Sequence, residues 1–181
     1  LDMEMEAGAD QIAHPLEQAE AVMAGLNFYL PQLETGTTPD FADVTNTATR
    51  AILDDWAREA AADAAALPLA PFLQVAASVA FDPARIAARM AAPLDRVFRR
   101  LAHLPPDTDA PLMGFAQCDA AGVVTHQKPV LDFRLPRAGA ACPLWPLYQV
   151  LSQPGRALRR VVRLPGQART PFECFAIATM Q

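Results

Sequence analysis

Cys142-Pro143-Leu144-Trp145, with Tyr148 after it, is the stretch whose residue types could do chemistry on a ligand. Pro143 suits the first turn of a helix, so this stretch is expected at the N-terminus of a helix running to about Ser152. Free amides and the helix dipole at such an end favour an anion. Lys128, Arg134 and Arg137 bring positive charge close by in sequence, and Phe133 sits among them. Trp145 and Tyr148 add flat apolar surfaces on adjacent helix turns. A ligand with phosphates, a ring and an apolar tail fits that set. A plainer role fits it too: a core tryptophan under a sheet, with Cys142 as a small buried neighbour. The candidate ligand-binding residues are Lys128, Phe133, Arg134, Arg137, Cys142, Pro143, Trp145 and Tyr148.

Nothing in the sequence proposes catalysis. HExxH, GxSxG, the Walker loop and GxGxxG are all missing, which removes the familiar hydrolase, NTPase and dinucleotide signatures. Three histidines at 14, 103 and 126 have no metal-ligand spacing. Asp54 and Asp55 are adjacent, so on a helix they point about 100° apart and cannot share a substrate. No catalytic residue and no metal site is expected.

The elements that must position the candidate residues fall into two classes. The first hundred residues read as helices. His14-Pro15 opens one whose apolar stripe includes Leu16, Ala19, Met23 and Leu26 and stops at Pro31. Thr38-Pro39-Asp40 carries a hydroxyl cap, a first-turn proline and an acid, and is read as the start of a helix through Phe41, Ile52 and Trp56. Shorter helices are expected over 71–80, 84–91 and 94–104. After Pro105-Pro106 the period changes to strands over 112–118 and 123–128, joined by a turn at Asp119–Gly122. Phe133-Arg134-Leu135 is a candidate edge strand, and two further strands are expected over 157–164 and 171–180. Two antiparallel pairs with a helix between them make an α+β unit.

Charge is split along the chain. Residues 1–83 hold fourteen acidic residues against Arg50 and Arg58, a net of −12, and residues 84–181 carry a net of +7. Such asymmetry fits an anionic partner for the basic half, or attraction between the two halves across an internal interface. Arg96, Arg99, Arg100 and His103 share one face of the 94–104 helix, as a solvated face would. Helices 84–91 and 94–104 also imitate a helix-turn-helix whose arginines would meet DNA, although the second helix lacks Asn, Gln, Ser and Thr for base edges. Three widely spaced cysteines, 118, 142 and 174, point to a reducing, cytoplasmic setting with free thiols. No apolar run approaches a membrane span. A first residue of Leu leads us to expect a fragment of a longer polypeptide.

Residues 58–181 resemble the C-terminal region of the short-chain fatty acyl-CoA regulators, bacterial transcription factors with an N-terminal XRE-type helix-turn-helix. The resemblance rests on Asp119 and Gly122, Lys128, Phe133 and Leu135, Gly139-x-x-Cys142-Pro143-x-Trp145, Pro154-Gly155, and Phe172 with Phe175. Pro129 stands where the family usually has Arg, and Leu164-Pro165-Gly166 where Pro-Asp-Gly is common. The resemblance implies a GAF-like sensor, an antiparallel sheet with flanking helices, that binds a short-chain acyl-CoA and controls propionate- or acetate-type carbon metabolism. It also implies a preceding metallopeptidase-like module, of which Glu59-x-x-x-Asp63 and Leu67-Pro68 look like trailing helices without an active site. Some relatives are thought to hold an iron–sulfur cluster, for which Cys118, Cys142 and Cys174 are the available thiols.

The expectation is then a helical region over 1–105 and an α+β, GAF-like sensing domain over 106–181. Its partners would be an acyl-CoA and a second copy in a homodimer, with DNA bound only by a module outside this chain. A dimerisation module with no small ligand is the other class. A cavity bordered by Trp145, Tyr148 and Arg137 separates the two.

Overall fold

A computed structural model of the chain describes residues 14–131, 133, 144–163 and 171–179. Helix α1 (Pro15–Gly25) begins where Pro15 fits the first turn and the His14 ring accepts from the Leu16 amide at 3.3 Å. It buries Ala19 and Met23 against α2 (Thr47–Ala66), together with Leu33, Phe41, Leu53 and Ala57.

Helix α2 starts later than its apparent signal. Asp40 instead caps a turn, accepting from the Ala42 amide at 2.9 Å. Arg50 then fastens the intervening loop, its Nε donating to the Val44 carbonyl at 3.0 Å and an Nη to that of Ala42 at 3.2 Å. The working cap is Asn46, whose Oδ1 takes the amides of Ala48 and Thr49 at 3.0 and 3.1 Å.

Three short helices close a second core. They are α3 (Leu69–Ser78), α4 (Pro83–Met90), capped by Asp82 onto the Arg85 amide at 3.1 Å, and α5 (Leu94–Ala102). Leu67, Phe72, Ile86, Val97 and Leu101 meet inside. Burying a side chain such as Phe72, which is fully covered, contributes about 1.5–3 kcal/mol.

The remaining elements make the fold α+β, as the change of period implied. Strands β1 (Phe115–Cys118) and β2 (Val124–Lys128) form one antiparallel pair, with Phe115 opposite Lys128 and a register shift between Gln117 and Cys118. Strands β3 (Leu158–Val162) and β4 (Phe172–Ala176) form another, with Leu158 opposite Ala176. Among the described residues these are two separate two-stranded sheets. Phe133 makes only an isolated bridge to Val130, and residues 134 and 135 of the expected edge strand lie outside the described residues.

The helix expected from Pro143 is shorter and starts later. Helix α6 (Pro146–Gln149) has Trp145 at its N-cap and Pro146 in its first turn, and continues as a 3-10 turn over Val150–Ser152. Proline can open a helix at either position, and Pro146 is the one that does. Four helical residues are too few to build an aligned dipole, so the anion-binding role expected of this N-terminus has no structural basis. Among the described residues no helix is long and apolar enough to cross a membrane.

Candidate functional site

Asp119-x-x-Gly122 is the turn that places β1 and β2. Asp119 Oδ1 accepts from the amides of Ala121 and Val123, each at 2.9 Å. Gly122 has φ +82°, a left-handed conformation that costs an L side chain, and a Cβ there would also meet the Tyr148 ring at 3.4 Å. The motif therefore serves hairpin geometry and the seating of α6.

The hairpin lies on the helical half. Glu20 of α1 accepts from the Gln127 amide at 2.9 Å. His126 is buried and stacks on Trp56 of α2, ring centroids 3.9 Å apart and planes within 12°. Phe115 meets the same imidazole edge-on at 5.4 Å, and His103 lies 5.6 Å away. His126 Nε2 is buried with no hydrogen-bond partner among the described residues. Burial, with His103 alongside, pushes the His126 pKa down to about 3, and burial takes His103 to about 4 despite the Arg99 carbonyl 2.8 Å from its Nδ1. Both rings are neutral packing groups. Trp56 and His126 were not legible as partners, because they are brought together from a helix and a hairpin far apart in sequence.

Between this hairpin, α4–α5, α6 and β4 runs a cleft of about 530 Å³. Phe81 and Phe98 form one wall, Phe115 and Val130 another, and Trp145 and Phe175 a third. Lys128 and Glu173 are the charged residues among its described lining. A volume in the range of small-molecule sites, with few polar groups, suits a largely apolar ligand.

Three of the expected site residues, Lys128, Phe133 and Trp145, line this cleft. Phe133 lies 6.1 Å from Trp145 and 5.0 Å from Phe172, ring centroid to centroid. Lys128 contributes its stem, while its ammonium donates to the Ala102 carbonyl at 2.6 Å, at the end of α5 where a cation is favoured. Burial lowers its pKa. Tyr148 stacks on Trp145, at 6.3 Å and within 17°, but lines a second groove on the other side of α6. Arg134, Arg137, Cys142 and Pro143 lie outside the described residues.

The arginines of α5 correct the charge reading. Far from being solvated or free for DNA, they are consumed inside the protein. Arg100 is 4% exposed, donates to both oxygens of Glu34 at 2.8 Å and to the Leu67 carbonyl at 3.0 Å, and lies over the Phe72 ring at 6.0 Å. Arg99 and Arg96 converge on buried Asp63, with Arg99 Nε at 2.7 Å and Arg96 Nε at 3.1 Å. Burial opposes the charge on Arg99, but its hydrogen bonds and charge pairing with Asp63, Glu59 and Asp95 more than offset this and raise its pKa. Attraction between the acidic and basic halves is what the structure realises. Glu59 and Asp63, read as a remnant of a metal module, serve as partners for Arg99.

Cys118 and Cys174 are free thiols on β1 and β4, and burial raises the pKa of each. Cluster ligation requires thiolates, and among the described residues no three His, Cys, Asp or Glu side chains converge on a common point. Cys142, the third thiol considered for a cluster, lies outside the described residues.

Residues 106–180 match the family model described as the short-chain fatty acyl coenzyme A regulator, C-terminal. The match spans 75 of the 181 residues. The chain is 37% identical over 109 residues to the propionyl-CoA carboxylase regulator of Cereibacter sphaeroides, covering 60% of this chain and 24% of that protein. The HTH-type transcriptional regulators RamB and PrpR of Mycobacterium tuberculosis are 28% and 29% identical over 105 and 101 residues. Those matches cover 58% and 55% of this chain and 22% and 21% of the two regulators. The chain thus spans under a quarter of the length of these curated relatives. A solved Mycobacterium tuberculosis transcriptional regulator shares the fold, with a TM-score of 0.56 at 22% identity over 83% of this chain and 45% of that one. The family model describes the C-terminal region of a regulator, and RamB and PrpR are HTH-type transcriptional regulators.

Proposed function

We propose that this chain is the ligand-sensing part of an XRE-type bacterial transcription regulator and that a short-chain acyl-CoA is its effector. The observation that supports this most is the apolar cleft of about 530 Å³, which gathers Lys128, Phe133 and Trp145. Of the three residues expected to border a sensing cavity, Trp145 lines this cleft, Tyr148 lines the groove beside α6, and Arg137 lies outside the described residues. The family match over 106–180 supports a sensor domain over 106–181, GAF-like in architecture. Helices α4 and α5, from the 1–105 region, supply one wall of the cleft, so sensing involves both parts. DNA would be bound by a module outside this chain, in the bacterial cytoplasm, with the regulator acting as a homodimer on genes of short-chain acyl metabolism.

Leu112, Leu131 and Leu144, at 78%, 63% and 74% exposed, favour a second reading in which these apolar side chains form a dimer surface and no ligand enters. A thermal-shift and calorimetric panel with free CoA, acetyl-, propionyl- and butyryl-CoA separates the two. A ligand at about 100 times its Kd stabilises by roughly 2.7 kcal/mol. A rise of about 5–10 °C, graded by acyl length, is expected at this size. A flat panel on folded protein refutes the sensor reading and leaves dimerisation.

A further inference from the structure

Across α6 from the apolar cleft lies a polar groove of about 440 Å³, lined by Tyr148, Ser152, Gln153, Arg156 and Arg160 among others. Its two arginines, like Arg50 and Arg89, hydrogen-bond only to uncharged groups among the described residues. Arg58, Arg96, Arg99, Arg100 and Arg159 each meet a carboxylate. Arg156 instead donates to the side-chain oxygen of Gln153 at 3.0 Å, and Arg160 to the backbone carbonyl of Arg159 at 3.1 Å. Neither contact neutralises the charge. Strand alternation aims Leu158 and Arg160 into the groove, while Arg159 turns the other way to Glu173 at 2.6 Å. Two exposed guanidiniums with remaining donors are suited to a phosphate, with Tyr148 and Ser152, whose hydroxyl donates to the Gln149 carbonyl at 2.9 Å, in the same lining.

The two depressions share one wall. Trp145, Pro146 and Leu147 face the apolar cleft, and Tyr148, Gln149 and Val150 face the groove. A helix with its side chains is about 10 Å across, which is the span that an elongated molecule would have to bridge around α6 to reach both. We infer that Arg156 and Arg160, with Tyr148 and Ser152, form an anion subsite for the phosphate end of a ligand whose apolar end fills the larger cleft. This rests on the proposed acyl-CoA reading and assigns the charged half of that ligand to residues that neither the motif nor the expected site residues include, apart from Tyr148.

The test is calorimetric titration of the 181-residue chain and its Arg156→Gln/Arg160→Gln variant with propionyl-CoA, S-propionyl-pantetheine (which lacks phosphates) and adenosine 3′,5′-bisphosphate. Both arginines are solvent-facing, so the variant is expected to melt at the wild-type temperature. Propionyl-CoA affinity should fall at least tenfold in the variant, and S-propionyl-pantetheine affinity should stay unchanged. Equal propionyl-CoA affinity in the two proteins overturns the subsite, as does wild-type binding of S-propionyl-pantetheine as tight as that of propionyl-CoA. If the wild type binds neither thioester, the acyl-CoA reading itself fails. The bisphosphate then decides the groove: binding that the variant loses supports the anion subsite, and no binding overturns it. A lysine pair at the same positions should recover part of the affinity by keeping the charge, and recovery to nothing above the glutamine pair would also count against the subsite.

Discussion

Replacing Asp63 by Ala should cost this protein about 3 kcal/mol. Asp63 is 2% exposed and accepts from Arg96 Nε at 3.1 Å, Arg99 Nε at 2.7 Å and Arg99 Nη2 at 3.1 Å. Breaking a buried ion pair from one side costs about 3–5 kcal/mol, because the other charge stays behind unpaired. Here the abandoned cation keeps some company, since Arg99 also has Asp95 at 3.2 Å and Glu59 at 3.3 Å. Arg96 is partly exposed and can turn to water. Both facts favour the lower end of the range. At this chain length the loss corresponds to roughly 6–12 °C in Tm, from about 2–4 °C per kcal/mol.

Urea unfolding followed by circular dichroism reads the effect, with Arg58→Ala as the control. Arg58 and Asp55 pair at 2.7 Å on the surface, their side chains 73% and 69% exposed, so that loss should stay within about 0.5 kcal/mol. A double-mutant cycle of Asp63→Ala with Arg99→Ala should give a coupling of at least about 1 kcal/mol. A loss below about 1 kcal/mol for Asp63→Ala, with the urea slope unchanged, would refute the claim that attraction between the two halves is a structural term.

Three further outcomes are expected. Gly122→Ala should destabilise by about 1–3 kcal/mol, since φ +82° is strained for alanine; a wild-type urea midpoint would contradict this. His103 and His126 stay neutral in the fold, with pKa values near 4 and 3 against 6.5 when unfolded. Their contribution is complete above pH 6.5 and is lost as pH falls towards 4, by up to about 1.4 kcal/mol per pH unit for each. His126→Phe, which keeps the stack on Trp56, should flatten the fall in urea midpoint between pH 7 and 5, and an unchanged slope would exclude the imidazole as its source. Trp145→Ala should weaken acyl-CoA binding about tenfold or more, equivalent to about 1.4 kcal/mol, and undiminished affinity by calorimetry would remove Trp145 from the site.

Element types were legible where a local rule and the tertiary structure agree. Pro15, Asp82 and Pro93 begin helices as their chemistry implies, and the two strand pairs fall within the stretches whose period changes. Boundaries failed where two local signals competed. Asp40 and Asn46 are both helix-capping residues, and the choice between them was made by Arg50, whose guanidinium holds the intervening carbonyls and so keeps residues 42–44 out of the helix. Pro143 and Pro146 pose the same ambiguity, and Trp145 at the N-cap resolves it. Of the motif residues, Phe133, Trp145 and Phe175 line one cleft, but Phe81 and Phe98, which complete it from the helical half, carry no motif, only a place on a wall.

Helix α5 shows why a charge pattern cannot be assigned to a partner from one helix alone. Its arginines recur at a spacing that a solvated face, a DNA-reading face and an internal ion-pair face would all share. What selects among the three is whether carboxylates stand opposite, and Glu34, Glu59 and Asp63 do so from 33 or more residues away along the chain. The same helix turns Phe98, Leu101 and Ala102 towards the cleft, and the Ala102 carbonyl receives Lys128. The position of that cleft wall is therefore set by ion pairs on the opposite side of α5. Asp63→Ala should on this ground weaken acyl-CoA binding as well as stability, although Asp63 touches no part of the cleft. Affinity unchanged at a temperature where the variant is fully folded would show that α5 holds its place by apolar packing alone.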